Sequence, residues 1–132
     1  MKLLSIRHVV LFAWTLLYLA PAIAQDLVFL SIPEVSALAT GKKWTYVSPV
    51  NGGKVQLDLG AGGSASGTND LLERGFGRDV DGTWMVNDQA QLCLKWRRHW
   101  PDSCLAVSKD GEKLKLFRAT DLKNVYVEMT VI

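Results

Sequence analysis

The sequence predicts a mostly β protein, a small antiparallel meander of about eight strands that closes, or nearly closes, into a barrel with one short N-terminal helix. Three observations predict this fold class. Short runs of alternating apolar and polar residues recur after residue 41, as in strands with one buried face. Turn signals rich in Gly, Asn and Asp separate these runs. A single stretch before them, residues 31–41, has helical spacing instead.

The first 24 residues have the pattern of a secretory signal peptide. Lys2 and Arg7 supply a positive start, a short apolar run follows, and Ala22-Ile23-Ala24 gives the small-x-small pattern of a cleavage site. We therefore expect cleavage after Ala24, a periplasmic or secreted location, and a single barrel-like domain over 25–132. The apolar run is shorter than the roughly 20 residues of a spanning helix, so we expect no stable membrane insertion after cleavage.

Charge and histidine content exclude several classes of function. The chain has 15 basic and 13 acidic residues, and Lys2 and Arg7 lie in the signal peptide, so the mature domain is formally neutral. A neutral domain lacks the clustered positive field of nucleic-acid-binding proteins. The mature chain retains two cysteines and one histidine, His99, which are too few ligands for a closed metal site. We predict no metal and no cofactor.

The helix is predicted from its start signal and its apolar spacing. Ser31 and Glu34 have the spacing of a capping box, Pro33 is tolerated in the first turn, and Gly41 stands where a C-terminal cap belongs. The residues predicted to face the core are Ile32, Val35, Leu38 and Ala39. We expect this helix to pack across one end of the barrel.

The strands are predicted near residues 42–49, 53–60, 63–69, 82–87, 91–98, 102–108, 113–119 and 124–131. The turn signals between them are Asn51-Gly52-Gly53, Gly60 to Gly63, Asp81-Gly82, Asn87-Asp88 and Asp110-Gly111. Because most connections are short, neighbouring strands should pair antiparallel. Pairing of the last strand with the first would remove the exposed edges. Avidin and the lipocalins share this general plan, but the resemblance to them is too short to imply their ligands.

The two cysteines predict a structural disulfide. Cys93 and Cys104 form an even pair in an exported chain, and the ten intervening residues fit neither a redox motif nor a zinc site. Free buried thiols are the alternative. In an antiparallel ladder with this pairing, Lys95 falls opposite Asp102 and Arg98-His99 forms the hairpin tip. The sulfurs then lie on the outer face.

Several segments together resemble a known family. They are Gly41-Lys42-Lys43-Trp44, Gly82-Thr83-Trp84, Leu92-Cys93-Leu94-Lys95-Trp96, Ser103-Cys104 and Lys109-Asp110-Gly111. This succession is similar to a set of small exported bacterial proteins, the family called domain of unknown function 995. The resemblance covers about residues 30–118. It implies export, a β-rich domain and a disulfide, and it implies no activity.

No arrangement of residues predicts catalysis. His99, Asp102 and Ser103 are the residue types of a hydrolase triad, but neighbours in one loop cannot easily converge on one point from a rigid scaffold. Residues 60–67 lack the Gly-Lys-Ser/Thr ending of a phosphate loop, and a glycine-rich hairpin fits them better. The segment 79–82 begins like a calcium loop but has no closing glutamate at the required spacing, so it is predicted to be a turn. We expect a protein that is not an enzyme.

The hairpin tip is the candidate binding site. Arg97, Arg98, His99 and Trp100 combine two guanidinium groups, an imidazole and an indole on one short loop. Arg and Trp are the residues most enriched at interface hot spots. A structural alternative is that Trp100 folds back onto the barrel end and that the arginines are ordinary surface residues.

Two non-enzymatic functions follow. The first is an interaction or inhibitor-like module that presents hairpin loops to another exported or envelope protein. The alternative is a carrier of a small apolar ligand inside the barrel. Small eight-stranded barrels often fill their interior with side chains, and the large inward candidates Trp44, Leu57, Trp84 and Trp96 favour a filled one.

Overall fold

A computed structural model describes residues 27–132, which form a closed, eight-stranded antiparallel barrel with one short helix. In chain order the elements are α1 (Ile32–Ala39), β1 (Lys42–Val47), β2 (Lys54–Leu59), β3 (Ser64–Asn69), β4 (Asp79–Val86), β5 (Gln91–Trp96), β6 (Ser103–Asp110), β7 (Lys113–Arg118) and β8 (Val127–Val131). Each strand pairs with its neighbour in sequence, and β8 pairs with β1. The predicted fold class is confirmed.

The helix begins with the predicted capping box. The backbone amide of Ser31 donates to Glu34 Oε1 at 3.1 Å, and the Ser31 hydroxyl donates to the same oxygen at 2.8 Å. Val35 and Ala39 are fully buried, whereas Ile32 is exposed, so the prediction that Ile32 faces the core is wrong. Ile32 is the first helical residue, and the buried stripe starts one turn later.

The helix covers one end of the barrel, which we call the closed end. It packs on β1, β4 and β5. Two indole groups fasten this end: Trp44 Nε1 donates to the carbonyl of Leu38 at 2.9 Å, and Trp84 Nε1 donates to the carbonyl of Gly60 at 2.8 Å. Because a buried indole N–H needs an acceptor, these bonds let large aromatic rings fill the interior without an unpaired donor. The turns at this end are 60–63, 87–90 and 111–112.

The core is densest near the closed end. Strand alternation sends every second side chain inward, as predicted for β2, β5 and β7. The largest inward side chains that are fully buried are Trp44, Leu57, Leu59, Leu92, Val107 and Leu116, together with Val35 of α1. Their burial is the main source of stability in a barrel of this size.

The opposite end, which we call the open end, consists of four loops: 48–53, 70–78, 97–102 and 119–126. Two predicted boundaries are wrong at this end. The segment 79–82 is the start of β4 and not a turn, because Val80 is buried on the inner face and pairs with Gly67. Val125 is exposed in a loop and β8 begins at Val127. In both places tertiary packing, and not the local pattern of turn or strand residues, determines the secondary structure.

A segment ahead of the helix covers part of the outer face. The Phe29 ring meets the Phe117 ring edge-on at 5.2 Å, and the Ser108 hydroxyl donates to the carbonyl of Val28 at 2.9 Å. Phe117 is fully buried although it points away from the barrel interior. The sequence analysis did not predict this contact.

Candidate functional site at the open end

The hairpin that carries the candidate loop is joined by the predicted disulfide. Cys93 of β5 and Cys104 of β6 lie directly opposite each other, with an Sγ–Sγ distance of 2.07 Å and a Cα–Cα distance of 4.0 Å. Their flanking partners Leu92 and Leu105 are buried in the interior, so the sulfurs lie on the outer face. The predicted pairing of the two cysteines and the predicted outer face are confirmed.

Beyond the disulfide the two strands separate. Ladder pairing between β5 and β6 ends at Leu94 and Ser103, and Lys95 has its strand partner on the other side, Thr83 of β4. The Asp102 carboxylate instead accepts the backbone amide of Trp96 at 2.9 Å. The Asp102 side chain therefore completes the base of the loop. The predicted cross-strand pair of Lys95 with Asp102 is wrong.

Trp100 folds back into the mouth of the barrel. Its Nε1 donates to the carbonyl of Gly77 at 2.7 Å, and its ring meets Trp96 edge-on at 5.1 Å. A Cβ atom added to Gly67 would lie 2.6 Å from Trp100 Cζ3 and 3.1 Å from Trp96 Cη2. The missing side chain of Gly67 on the inner face of β3 therefore makes space that both indoles occupy. A Cβ atom at Gly82 would first meet the backbone carbonyl of Lys95, so Gly82 permits the close approach of β4 and β5.

The other three residues of the candidate loop point into solvent. Arg97, Arg98 and His99 are exposed, and the backbone amide of Arg97 donates to the carbonyl of Asp81 at 2.9 Å. His99 has a φ of 70°, in the left-handed region that non-glycine residues rarely adopt. The structure thus divides the four predicted site residues into an exposed cationic tip, 97–99, and an indole anchor.

The three residue types of a hydrolase triad are not connected. Asp102 bonds to the Trp96 amide, and no hydrogen bond joins it to His99 or Ser103, all three of which lie within the described residues. A triad requires a nucleophile, a base and an orienting carboxylate in hydrogen-bonded sequence.

A cavity region of about 1200 Å³ includes parts of both faces of the wall. Its lining on the outer face consists of Thr83, Met85, Cys93, Lys95 and Cys104, and Gly62 and Gly63 contribute from a closed-end turn. The inward-facing residues of the lining form a cup at the mouth of the barrel. The deepest residues of that cup, such as Leu57, have no exposed surface. The cup is therefore shallow and ends above the filled core. Its apolar members are Val55, Leu57, Leu72, Leu94, Trp96, Trp100 and Leu105.

Three polar residues that the sequence analysis missed stand at the rim of the cup. The Arg118 guanidinium lies 4.2 Å from the centroid of the Tyr126 ring, and the ring centroids of Tyr46 and Tyr126 are 6.4 Å apart. Strand alternation was the available signal for two of them, because Tyr46 follows Trp44 on the inner face. Arg118 likewise follows Leu116. Tyr126 precedes β8 in a loop and gave no such signal.

Burial raises the pKa of the inner tyrosine. Desolvation raises the pKa of Tyr46 well above its usual value of 10, the neighbouring Tyr126 raises it further, and Arg118 opposes both effects. Because an ordinary tyrosine already titrates far above neutral pH, Tyr46 is a neutral phenol at physiological pH. A neutral hydroxyl at this position is able to donate a hydrogen bond.

No protein-family model and no curated protein matches the chain. The resemblance to domain of unknown function 995 stays a prediction that depends on its motif residues. Within residues 27–132, no helix has the length and apolar character needed to span a membrane. The predicted signal peptide, residues 1–24, and its cleavage site after Ala24 lie outside the described residues.

Proposed function

We propose that this protein is an exported, non-enzymatic binding protein whose open end presents hairpin loops to another exported or envelope protein. The observation that carries the proposal is the preorganised tip Arg97-Arg98-His99. It is exposed, whereas its base is held by the disulfide and by the buried contacts of Trp100. A loop that is ordered before binding loses less conformational entropy when a partner docks.

The charge of the tip defines the kind of partner. In the described part of the chain the ion pairs are Lys43 with Asp58 and Lys115 with Asp110, so neither tip arginine forms an ion pair there. Unpaired guanidinium groups favour an acidic surface, because complementary charge speeds encounter and fixes orientation. In this arrangement Trp100 supports the loop and does not itself contact the partner.

A matched pair of variants tests the proposal. Arg97→Ala with Arg98→Ala removes two charges from the open end, and Lys42→Ala with Lys113→Ala removes two exposed charges from the closed end. Each protein is used for affinity capture from the native envelope fraction, and the captured proteins are quantified by mass spectrometry. We expect an acidic partner to bind the wild type and the closed-end variant but not the open-end variant. Equal recovery by both variants would contradict the proposal.

Export is part of the same proposal. The intact mass of the protein recovered from its natural host should correspond to a chain that begins at Gln25, because cleavage is predicted after Ala24. A mass that retains residues 1–24 would overturn the proposed location.

A second function, carriage of a small apolar ligand, is favoured by the inward cup. The half-buried Trp100 ring lines the cup beside Trp96, at the end of the barrel that α1 does not cover. Pockets lined mainly by apolar and aromatic groups, with a few polar ones, are typical of small-molecule sites. Native mass spectrometry of protein purified from its own host tests this function by the presence of a bound small mass.

A further inference from the structure

The rim of the cup holds a cation whose position is set by the barrel itself. Arg118 ends β7, and it pairs across the ladder with Leu105, whose side chain is buried in the interior. Arg118 therefore belongs to the inner face, but at the last residue of the strand it is exposed at the mouth. Its guanidinium stacks on Tyr126, which holds the charge against the wall of the cup.

The polar groups of this rim lack partners in the part of the chain that the structure describes. Among the described residues, the Arg118 guanidinium and the hydroxyls of Tyr46 and Tyr126 make no hydrogen bond and no ion pair. The structure thus leaves a cluster of donors, one of them charged, facing a common space.

Three carboxylates of the open end accept hydrogen bonds from backbone amides. Asp70 accepts from Lys54 at 2.7 Å, and Asp102 accepts from Trp96 at 2.9 Å. Asp121, which lies in the same loop as Tyr126, accepts backbone amides of its own turn. These bonds fix the positions of the three carboxylates, and among the described residues none of them forms an ion pair with Arg118.

The cup also has apolar lining beside these donors. The half-buried Trp100 lines it next to Trp96, and the buried Leu57 and Leu105 close its bottom. The Tyr46 hydroxyl is protonated at neutral pH, as in an ordinary tyrosine, so it adds a donor and no competing negative charge. An inorganic anion would contact the donors but not the apolar lining. A hydrocarbon would contact the apolar lining but not the donors.

We propose that the mouth of the barrel binds a small amphipathic organic anion. Its carboxylate, phosphate or sulfonate head contacts Arg118 and the hydroxyl groups of Tyr46 and Tyr126, and its apolar body lies against Trp96 and Trp100. This inference rests on the second proposed function, the carriage of an apolar ligand, and adds the charged head as the feature that the site selects. It is independent of the partner-binding role of the hairpin tip.

Decanoate and decan-1-ol, which share one chain and differ in the charged head, are suitable probes. Binding to the full mature protein is followed by isothermal titration calorimetry and by the fluorescence of the cup tryptophans. We expect decanoate to bind about tenfold more tightly than decanol, the range of one charge-assisted contact. Equal binding of the two probes would overturn the anion site and leave the apolar carrier standing. Binding of neither would overturn both.

Variants locate the site on the protein. Arg118→Gln should weaken decanoate binding about tenfold and leave decanol binding nearly unchanged. Lys123→Gln is the matched control, because it removes one exposed charge from the loop that follows Arg118, and it should leave the binding of both probes unaffected. An equal loss in the two variants would show an effect of net charge only, which contradicts the proposal. Tyr46→Phe removes one hydroxyl and keeps the ring, and it should weaken decanoate alone, which provides a second test if Arg118→Gln fails to fold.

Discussion

The closed and open ends of the barrel are made by the same strands but by different inward residues. Along β1 the inner face changes from Trp44 to Tyr46, and along β7 from Leu116 to Arg118. At the closed end each indole donor is paired with a backbone carbonyl and the interior is filled. At the open end the Arg118 guanidinium and the hydroxyls of Tyr46 and Tyr126 face a cup and have no hydrogen-bond partner among the described residues.

This difference shows how a small barrel combines a core with a site. Eight strands enclose an interior that side chains can just fill, so a cup exists only where the inner residues become small or polar. Gly67 provides room at the open end, and the indoles of Trp96 and Trp100 lie against it. Burial of apolar side chains in the closed half stabilises the fold. The open half can therefore retain donors that have no hydrogen-bond partner among the described residues.

The largest expected effect belongs to the filled half. Leu57→Asp places an unpaired charge where the wild-type side chain has no exposed surface, so we expect loss of the folded state. Circular dichroism and the dispersion of the amide NMR signals measure this loss. Asp58→Leu, one residue further on, changes an outward side chain and should leave the fold intact. Equal damage from both variants would contradict the assigned inner face.

The disulfide gives the next largest effect, on the hairpin that supports the open end. Cys93→Ser with Cys104→Ser should lower the free energy of unfolding by about 2–4 kcal/mol, chiefly because the unfolded chain gains freedom. Urea denaturation followed by far-UV circular dichroism measures the change. Reduced wild-type protein is the control and should match the double variant. A double variant as stable as the oxidised wild type would show that the bridge does not support the hairpin.

Much of the fold could be predicted from the sequence, because the alternation of apolar and polar residues determines locally which face of a strand is buried. The phase of residues 54–59, the Cys93–Cys104 register and the capping box of Ser31 with Glu34 were all predicted from patterns within a few residues. Closure by β1 with β8 was predicted only as the way to remove free edges, and the structure confirms it.

The remainder depends on contacts between segments far apart in sequence. Asp81-Gly82 has the composition of a turn, but Gly82 serves instead as a close-packed strand residue beside Trp96. The cup residues Tyr46 and Tyr126 meet across 80 positions of sequence, so local spacing contains no sign of their contact. The hairpin tip was predicted as a unit, and only tertiary packing separates Trp100 from the exposed arginines.

The separation of Trp100 from the exposed arginines gives the third prediction. Its expected effect on stability lies between that of the disulfide and that of the helix cap. Trp100→Ala removes a half-buried ring and its bond to Gly77, so we expect a loss of about 2 kcal/mol in the free energy of unfolding. Arg98→Ala alters an exposed side chain and should change it by less than about 0.5 kcal/mol. Thermal unfolding and urea titration compare the two. If the two variants were equally stable, Trp100 would be a surface residue and not an anchor of the open end.

The smallest effect concerns the cap of α1 at the closed end. Hydrogen bonds from the backbone and the hydroxyl of Ser31 lower the pKa of Glu34 below 4.5 in the folded state. A carboxyl with a lowered folded pKa stabilises the protein above its unfolded pKa, and this contribution is lost as the pH falls through the folded value. The wild type should therefore unfold at a slightly higher temperature than Glu34→Gln at neutral pH. The difference should disappear in acid. Glu112→Gln removes a charge from the same end without a capping bond, and its melting temperature should show no such dependence. If Glu112→Gln followed the same pH profile as Glu34→Gln, the effect would belong to the net charge of the closed end and not to the cap.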